Sequence, residues 1–521
     1  MLTHPMKGNA VSATATYEEL VSLFKEYREF VVPGERDGIA DYSPEAMNAQ
    51  HAELKRHQRR LAAMDFSGRP VSEQVDYHIV RAEMNGLDFN HRVIKPWARD
   101  PGFYCTFPRF EETMRGAVDI PGQLPVPAEK LEALQSGIRS LPAALSQAKE
   151  NLTETAADFA MLAARMKQRE RDAWTGFAEK AGKHHPALVP DINRVVEAID
   201  DFSAWLKGNQ GNFLPDAGVG EENWNWFMKN VYLFPYTWEE AHAVVQRELE
   251  RAEAFMRLEE HRNRDLPELL PAQSAQEHQE RFDRGMDRLM DFLDSAAIFK
   301  DSEYIQRKSH ATRFSPYDPK TLNFFQEILS RDVLPLHAHE VCGHSHDGRR
   351  YAKDDRPIRG GGRPYHIAGL RAEGLATGIE EILMHLGLCD DRPRSRELTY
   401  VLVSFRAARA AAALKMHRHE LDFKGGLDYA ARMTARGYSK PDTFLLWDDL
   451  ELYIRQPGYG MGYLMGKVQL EKLMADYSRL KGGDFSLRGF FTDFLDAGFI
   501  PISLIRWEIT GLTDEMEKVL A

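Results

Sequence analysis

Cysteine is scarce in this chain of 521 residues. Cys105, Cys342 and Cys389 are an odd number and include no Cys-x-x-Cys spacing, so they predict no disulfide framework. Sparse thiols of this kind are typical of proteins from a reducing compartment. We therefore expect a cytoplasmic protein.

Long apolar runs are also missing. No window approaches eighteen consecutive apolar residues, so we expect no transmembrane helix and no membrane partner. The segment from Met1 to Tyr17 lacks a basic stretch followed by an apolar run, so we expect no signal peptide. We predict that residues 1–15 form a disordered N-terminus.

An excess of positive charge is absent as well. The formal net charge is −12, the pI is about 5.9, and like charges form no block. Because phosphate binding needs a basic face, nucleic acid is not an expected partner. The composition allows a small-molecule or peptide substrate, and it is compatible with a homo-oligomer.

Alternating, strand-like segments are scarce, and apolar residues instead recur at helical spacing. Between residues 145 and 166 they follow in steps of three and four, which predicts one face of a helix. Thr237-Trp-Glu-Glu240 has the form of a capping box and predicts a helix to about Arg262. Another helix is expected from Val401 to His417, with arginines at its solvent edge. The predicted fold class is all-α, with at most a short hairpin.

Turn-forming residues divide the chain loosely. The segments 208–220, 266–275 and 347–364 are predicted connectors. We expect an N-terminal helical lobe over residues 16–215 and a C-terminal helical lobe over residues 216–521 that carries the functional site. One integrated domain is the alternative.

Histidine is concentrated between His337 and His346. This segment reads His-Ala-His-Glu-Val-Cys-Gly-His-Ser-His, and a helical stretch opening at Glu373 follows it. Imidazole and carboxylate are ligands that zinc prefers, and a catalytic zinc takes three of them and leaves one position open. The segment therefore predicts a metal site, with a solvated turn or a set of capped core histidines as the structural alternative.

The spacing of these histidines does not fit a regular helix. His339 and His344 are five residues apart, which places them about 140° apart around an ideal α-helix. A π-bulge would bring such positions onto one face, and Gly343 makes a distortion or a break easier at that point. Two other pairings remain open: Glu340 with His344, and His339 with His346.

Two glutamates downstream are candidates for the third ligand. Glu373 and Glu380 are seven residues apart and fall on one helical face. Either could ligate the metal while the other orients a ligand. The residues around them are small and apolar, which favours a helix that faces inward.

These motifs resemble those of a large, mostly bacterial family of zincin-like metallohydrolases, formerly a domain of unknown function. That family is marked by His-Glu-x-x-Pro-Gly-His and Glu-Gly-Trp-Ala-x-Tyr-x-Glu, and the likeness covers roughly residues 16 to 515. Further matches follow in the family's order along the chain: Arg406-Ala-Ala-Arg409, His417, Tyr453, Pro457-Gly458, Tyr463 to Lys467, and Phe490 to Pro501.

The resemblance implies a zincin-like helical fold with a deep central cleft. It implies His339, His344 and Glu373 as metal ligands, with Glu340 as the general base. The expected cofactor is one divalent metal, with zinc favoured and iron or manganese as alternatives. The implied activity is that of a metal-dependent hydrolase, in which metal-activated water attacks an amide, a peptide or a related small molecule.

Other side chains are expected to support this chemistry. Tyr453 is predicted to be catalytic, donating a hydrogen bond to a developing oxyanion. The predicted substrate-binding residues are His417, Arg409, Tyr463 and Tyr459. The residues predicted to orient the ligands are Glu380, His337 and His346.

The chain departs from the family pattern at several positions. The first motif is one residue short, and Cys342 lies where the family has a proline nearby. Leu375 and Gly378 replace the tryptophan and the tyrosine of the second motif. Such losses favour a changed substrate, and they raise a second hypothesis: a metal-dependent lyase, isomerase or oxidative enzyme.

Two further alternatives follow from single residues. A helical scaffold without catalysis is the third hypothesis, and the retention of Glu340 speaks against it. The thiol of Cys342 is either a soft ligand or reactive group, or a small buried apolar side chain.

Overall fold

Helices make up nearly all of the regular structure. The computed structural model describes residues 15–109, 112–308, 311–362 and 365–521, so the disordered segment predicted for residues 1–15 lies, except for Ala15, outside the described residues. The one sheet within these ranges is an antiparallel hairpin of β1 (Glu35–Arg36) and β2 (Ile39–Ala40). The prediction of an all-α fold with at most a short hairpin is confirmed.

The first part of the chain forms α-helices joined by short connectors. They are α1 (Tyr17–Phe30), α2 (Pro44–Ala62), α3 (Val71–Phe89), α4 (Pro96–Arg99), α5 (Ala128–Asn151), α6 (Ala157–His184) and α7 (Val189–Gly208). A π-helical segment over Asn90–Ile94 continues α3.

The second part contains the helices that surround the histidine segment. They are α8 (Glu221–Asn230), α9 (Trp238–Arg262), α10 (Ala275–Ala296), α11 (Phe324–Arg331), α12 (Leu334–His337), α13 (His346–Tyr351), α14 (Gly369–His385), α15 (Arg394–His417), α16 (Phe423–Met433), α17 (Phe444–Arg455), α18 (Tyr459–Lys481), α19 (Leu487–Asp496), α20 (Ile502–Thr510) and α21 (Asp514–Leu520). A second π-helix, Ala338–Ser345, joins α12 to α13. Short 3-10 helices cover Pro101–Tyr104, Pro186–Leu188, Gln210–Asn212, Ser302–Tyr304, Ala435–Gly437 and Gly482–Asp484.

Local sequence signals explain several boundaries. The Thr237 hydroxyl accepts from the backbone N–H of Glu240, while the Glu240 carboxylate accepts from the backbone N–H of Thr237. This capping box starts α9, which ends at Arg262 as predicted. The connectors predicted at 208–220 and 266–275 are confirmed to within one residue, because α7 ends at Gly208, α8 begins at Glu221 and α10 begins at Ala275.

The single helix predicted over residues 145–166 is wrong. The chain leaves the helix after Asn151 and starts α6 at Ala157, because the backbone in between bonds to other segments: Glu154 N–H donates to the Ala98 carbonyl. The apolar spacing correctly indicated buried residues on both sides of the break, but it did not show that one helix connects them. The third connector, predicted from residue 347, is wrong in its first part, since α13 continues to Tyr351.

The arginines of α15 do not lie at a solvent edge as predicted. Arg406 and Arg409 are both buried, because α15 is the central helix of the C-terminal part and packs against α9, α14, α16, α17 and α18. A helix enclosed on all sides loses its polar face. Its charged residues must therefore find partners inside the protein.

Two hydrophobic cores hold the fold together. The larger takes side chains from α1 and α3 as well as from the helices after residue 215, whereas the smaller lies mainly among α5, α6 and α7. The predicted division into lobes near residue 215 stays a prediction, since the larger core draws on both sides of that position. No helix in the described ranges has the length and apolar character needed to cross a bilayer.

Candidate metal centre

The histidine segment folds as a π-helix, which is the distortion anticipated from its spacing. Over Ala338–Ser345 each turn contains an extra residue, so His339 and His344 fall on the same side. Their Nε2 atoms lie 3.0 Å apart. Nitrogen ligands of a tetrahedral zinc lie roughly 3.4 Å from each other, given Zn–N bonds of about 2.1 Å. The two imidazoles are therefore close to a ligating arrangement.

Gly343 is required by packing against α14. A Cβ atom at position 343 would lie 2.4 Å from the Cβ of Ala376 and 2.5 Å from its Cα. On the other side of α14, a Cβ at Gly374 would lie 2.3 Å from the backbone carbon of Gly466 on α18. The small residues of α14, which the sequence marked as unusual, thus let three helical segments approach closely.

Glu373 on α14 completes a group of three ligand atoms. One ligand atom each from His339, His344 and Glu373 lies within 4.8 Å of the others. Glu373 Oε1 accepts a hydrogen bond of 2.6 Å from the Tyr459 hydroxyl. Glu373 Oε2 lies 3.4 Å from His344 Nε2 and makes no hydrogen bond of its own. This buried oxygen is available to a cation.

The charges within the group are strongly coupled. Burial opposes the ionisation of Glu373, but the contact with His344 outweighs it and lowers the pKa of Glu373 to about 2. Burial alone would lower the pKa of His344, whereas the carboxylate of Glu373 leaves that pKa raised. The ionised carboxylate favours positive charge at this point of the fold.

Glu380 orients His339 from the opposite side. Its Oε1 lies 2.7 Å from His339 Nδ1, and both of its oxygens accept from the Arg406 guanidinium at 2.6 and 2.8 Å. Arg406 Nη2 also lies 3.1 Å from His339 Nδ1, so the guanidinium and the carboxylate together fix the ring and leave its Nε2 facing His344. Carboxylates hold metal-ligating histidines in this manner.

The residues present fit a divalent cation. Two imidazole nitrogens that both carry lone pairs repel each other at 3.0 Å unless a proton or a cation lies between them. The third donor, Glu373 Oε2, is a buried carboxylate oxygen without a hydrogen bond. Two imidazoles and one carboxylate suit zinc, and they equally suit ferrous iron.

A cavity of about 590 Å³ opens beside these ligands. Glu340 and Tyr463 line it together with the metal candidates. The Glu340 side chain is 48% exposed, and its Oε2 accepts from Lys308 Nζ at 3.0 Å. Burial opposes the ionisation of Glu340, but Lys308 outweighs it and lowers the pKa of Glu340. An ionised carboxylate therefore faces the cavity.

Other predicted residues lie behind the cavity. His417 is fully buried, and its Nε2 donates to the Tyr453 carbonyl at 3.0 Å, so it does not reach the cavity. Arg409 is buried and paired with Asp449 at 2.5 Å. The Tyr453 hydroxyl is buried and has no hydrogen-bond partner among the described residues. The structure thus places His417 and Arg409 behind the cavity and not among the residues that line it.

The remaining predicted histidines separate. His337 lines the cavity with its ring edge-on to Phe282. His346 points elsewhere and packs against Phe299, with ring centroids 4.8 Å apart. Burial raises the pKa of the Cys342 thiol to about 12, so this residue is a small buried apolar side chain here.

Two important residues were absent from the predicted site. Arg406 was part of a matched motif without a role, although it binds Glu380 and lies 3.1 Å from His339 Nδ1. The sequence feature that could have identified Arg406 is a charged residue within an alanine-rich, otherwise apolar helix. Lys308 carried no signal, because it lies in an irregular segment distant in sequence from Glu340.

The sequence profile of a family described as "Bacterial protein of unknown function (DUF885)" matches residues 28–309 and 340–509. No curated protein matches the chain.

Solved structures share the fold. A "putative lipoprotein of unknown function" from Shewanella oneidensis superposes with a TM-score of 0.67 at 14% identity, over 95% of this chain and 99% of that one. A "putative lipoprotein" from Colwellia psychrerythraea has a TM-score of 0.67 at 13% identity, over 96% of this chain and 99% of that one. At such identities the likeness concerns the fold alone. Because the family profile covers most of the chain, the protein belongs to the bacterial family DUF885.

Proposed function

We propose that this protein is a metal-dependent hydrolase that acts on an amide, a peptide or a related small molecule. The observation that carries the proposal is the convergence of His339, His344 and Glu373 beside a cavity that is also lined by the carboxylate of Glu340. A zincin-like assignment for the chain is part of this proposal.

The three ligands would hold one divalent metal, with zinc favoured and iron or manganese as alternatives. When bound, the metal supplies Lewis-acid polarisation of a carbonyl and lowers the pKa of water. Glu380 and Arg406 fix the ring of His339, and Tyr459 fixes Glu373 through its hydroxyl. The ligand geometry is thus set before a substrate arrives.

Glu340 is the proton acceptor in this scheme. Its carboxylate is ionised beside the cavity and could take a proton from the attacking water and return it to the leaving nitrogen. Tyr463 is the tyrosine that lines the cavity, so we assign to it the hydrogen bond to the developing oxyanion. Tyr453, predicted for this role from sequence, lies one layer behind.

Two glutamine variants test the proposal. Glu340→Gln should keep the metal and lose at least about a hundredfold in turnover of amide substrates, because only the proton acceptor is removed. Glu373→Gln should lose both the metal and the activity. Metal content is measured by plasma mass spectrometry on purified protein, with His184→Gln on the exposed surface of α6 as control. Full turnover in Glu340→Gln would overturn the assignment of the base.

The donor set also supports a second candidate function. Two histidines and one carboxylate with open positions are typical of non-haem ferrous enzymes, which use oxygen. A metal-dependent lyase, isomerase or oxidative enzyme would use the same ligands. Bound iron together with oxygen-dependent turnover would favour this candidate, whereas tightly held zinc would favour the hydrolase.

A further inference from the structure

The cavity beside the metal centre is also lined by two histidines that are not among the candidate metal ligands. His278 on α10 and His337 at the end of α12 both line the cavity, and each is more than nine-tenths buried. Phe282 lies one helical turn after His278 on the same face of α10. Its ring meets that of His337 edge-on, with centroids 4.6 Å apart. The two imidazoles and Phe282 therefore belong to one wall.

Each of these imidazoles has a buried nitrogen without a hydrogen-bond partner among the described residues. These atoms are Nδ1 of His278 and Nε2 of His337. The other ring nitrogen of His278, Nε2, lies 3.2 Å from the Thr312 carbonyl oxygen. A carbonyl only accepts, so Nε2 carries the proton, and Nδ1 of neutral His278 is a bare acceptor.

An unsatisfied acceptor in such a place calls for a partner. Leaving a buried polar atom unpaired costs about 1–3 kcal/mol, and native proteins rarely do so outside functional sites. Lys308 and Thr312 also line the cavity, but neither makes a hydrogen bond to these two nitrogens among the described residues. Besides Phe282, the described apolar residues that line it are Ala311, Phe325, Leu329, Val333 and Leu336.

We propose that this wall is a specificity pocket for an apolar side group, preferably aromatic, that carries an O–H or N–H donor. A phenol is the simplest such group: its ring would pack on Phe282 and Phe325, and its hydroxyl would donate to His278 Nδ1. A pocket built to bind a hydroxyl rejects the analogue that lacks it, because the buried acceptor then stays unpaired. This inference rests on the proposed function in one respect only, which is that the reacting group of the substrate lies at the metal centre.

A matched pair of probes tests the pocket without turnover. The compounds 4-hydroxyphenylacetate and phenylacetate differ by one hydroxyl, and neither has a bond that a hydrolase could cleave. Titration calorimetry on the full chain, with its metal content measured in the same preparation, should show at least about tenfold tighter binding of the hydroxylated probe, as one neutral hydrogen bond would give. Equal binding of the two probes, or no binding of either, would overturn the proposal.

A variant of His278 then tests whether this residue causes the preference for the hydroxylated probe. His278→Phe keeps a ring of similar size and removes the acceptor, so the affinity ratio should fall to about one while phenylacetate binds as before. His184→Phe, on the exposed surface of α6, is the matched control and should keep the wild-type ratio. An affinity ratio in His278→Phe equal to that of the wild type would contradict the assignment of His278 as the acceptor. If that variant does not fold, the affinity ratio of the wild-type protein alone decides whether the pocket prefers the hydroxyl.

The outcomes separate this pocket from the hydrolase proposal. A protein that prefers the phenol but hydrolyses no amide would contradict only the proposed function. An amide hydrolase without the preference would contradict only the pocket.

Discussion

At the scale of single residues, Arg406 shows how a buried charge can hold a candidate metal ligand in place. Its guanidinium holds both oxygens of Glu380, and Glu380 in turn holds His339. A planar donor that binds a carboxylate through two nitrogens fixes both its position and its orientation. The geometry of His339 therefore depends on a residue on a different helix.

Arg406→Lys should weaken metal binding by about tenfold or more. Lysine keeps the charge but replaces the planar fork by a single ammonium, so Glu380 gains freedom and His339 is held less firmly. Competition with a chromophoric chelator measures the affinity.

Arg409→Lys is the matched control for that prediction. Arg409 lies on the same helix, is equally buried and pairs with Asp449, away from Glu380. It should therefore leave the metal affinity near that of the wild type. An equal loss of affinity in both variants would indicate a general packing defect instead of a specific effect on His339.

At the scale of elements, the site depends on the close approach of the π-helix, α14 and α18. Gly343 faces Ala376, and Gly374 faces Gly466, each at distances that leave no space for a methyl group. Protein interiors are packed too densely to absorb such atoms without movement. The separation of the histidines from Glu373 is thus set by glycine and alanine.

Gly343→Ala should destabilise the protein by about 1–3 kcal/mol and reduce its metal content. The added methyl group would overlap Ala376 and push the π-helix away from α14. Chemical denaturation and metal analysis measure the two effects. Gly348→Ala on α13 is the control, because a Cβ at that position meets nothing within 4 Å.

The sequence predicted this region unevenly. The five-residue spacing of His339 and His344 indicated a π-bulge or a break of the helix, because a regular helix separates such positions, and the structure has a π-helix there. The small residues of α14 correctly indicated an inward-facing helix. Lys308 and the cavity residues of α10 were not predicted, since their role comes from distant segments that meet only in the folded protein.

The prediction of one continuous helix across the break between α5 and α6 failed for a related reason. Apolar spacing reports which residues are buried, and it continued across a connector whose backbone bonds to other segments. The arginines of α15 were placed at a solvent edge because arginine is usually exposed. Whether a helix is enclosed on all sides is decided by its neighbours.

At the scale of the whole molecule, several buried histidines make the fold sensitive to acid. Burial lowers the pKa of His78 to about 3, and of His91 and His417 to about 4. In the unfolded chain these groups bind protons near pH 6.5, whereas the folded protein binds them only near those lower values. The stability that these neutral imidazoles contribute is therefore fully present above about pH 6.5 and is lost as the pH falls toward 4.

His417→Gln should reduce this pH dependence. The glutamine amide can still donate to the Tyr453 carbonyl but binds no proton, so the slope of unfolding free energy against pH should fall by about 1.4 kcal/mol per unit between pH 6 and 4. Urea denaturation across this range measures the slope. His184→Gln serves as the exposed comparison, and a slope unaltered by His417→Gln would contradict the assignment of a neutral, buried imidazole.

The whole account depends on one cation shared by ligands from the π-helix and α14. Crystals of the wild-type protein grown with zinc, with anomalous diffraction recorded on both sides of the zinc absorption edge, test this directly. We predict one strong anomalous peak about 2.0–2.2 Å from His339 Nε2, His344 Nε2 and Glu373 Oε2. A zinc-loaded crystal without a peak among these three atoms, or with the rings of His339 and His344 turned apart, would contradict the account.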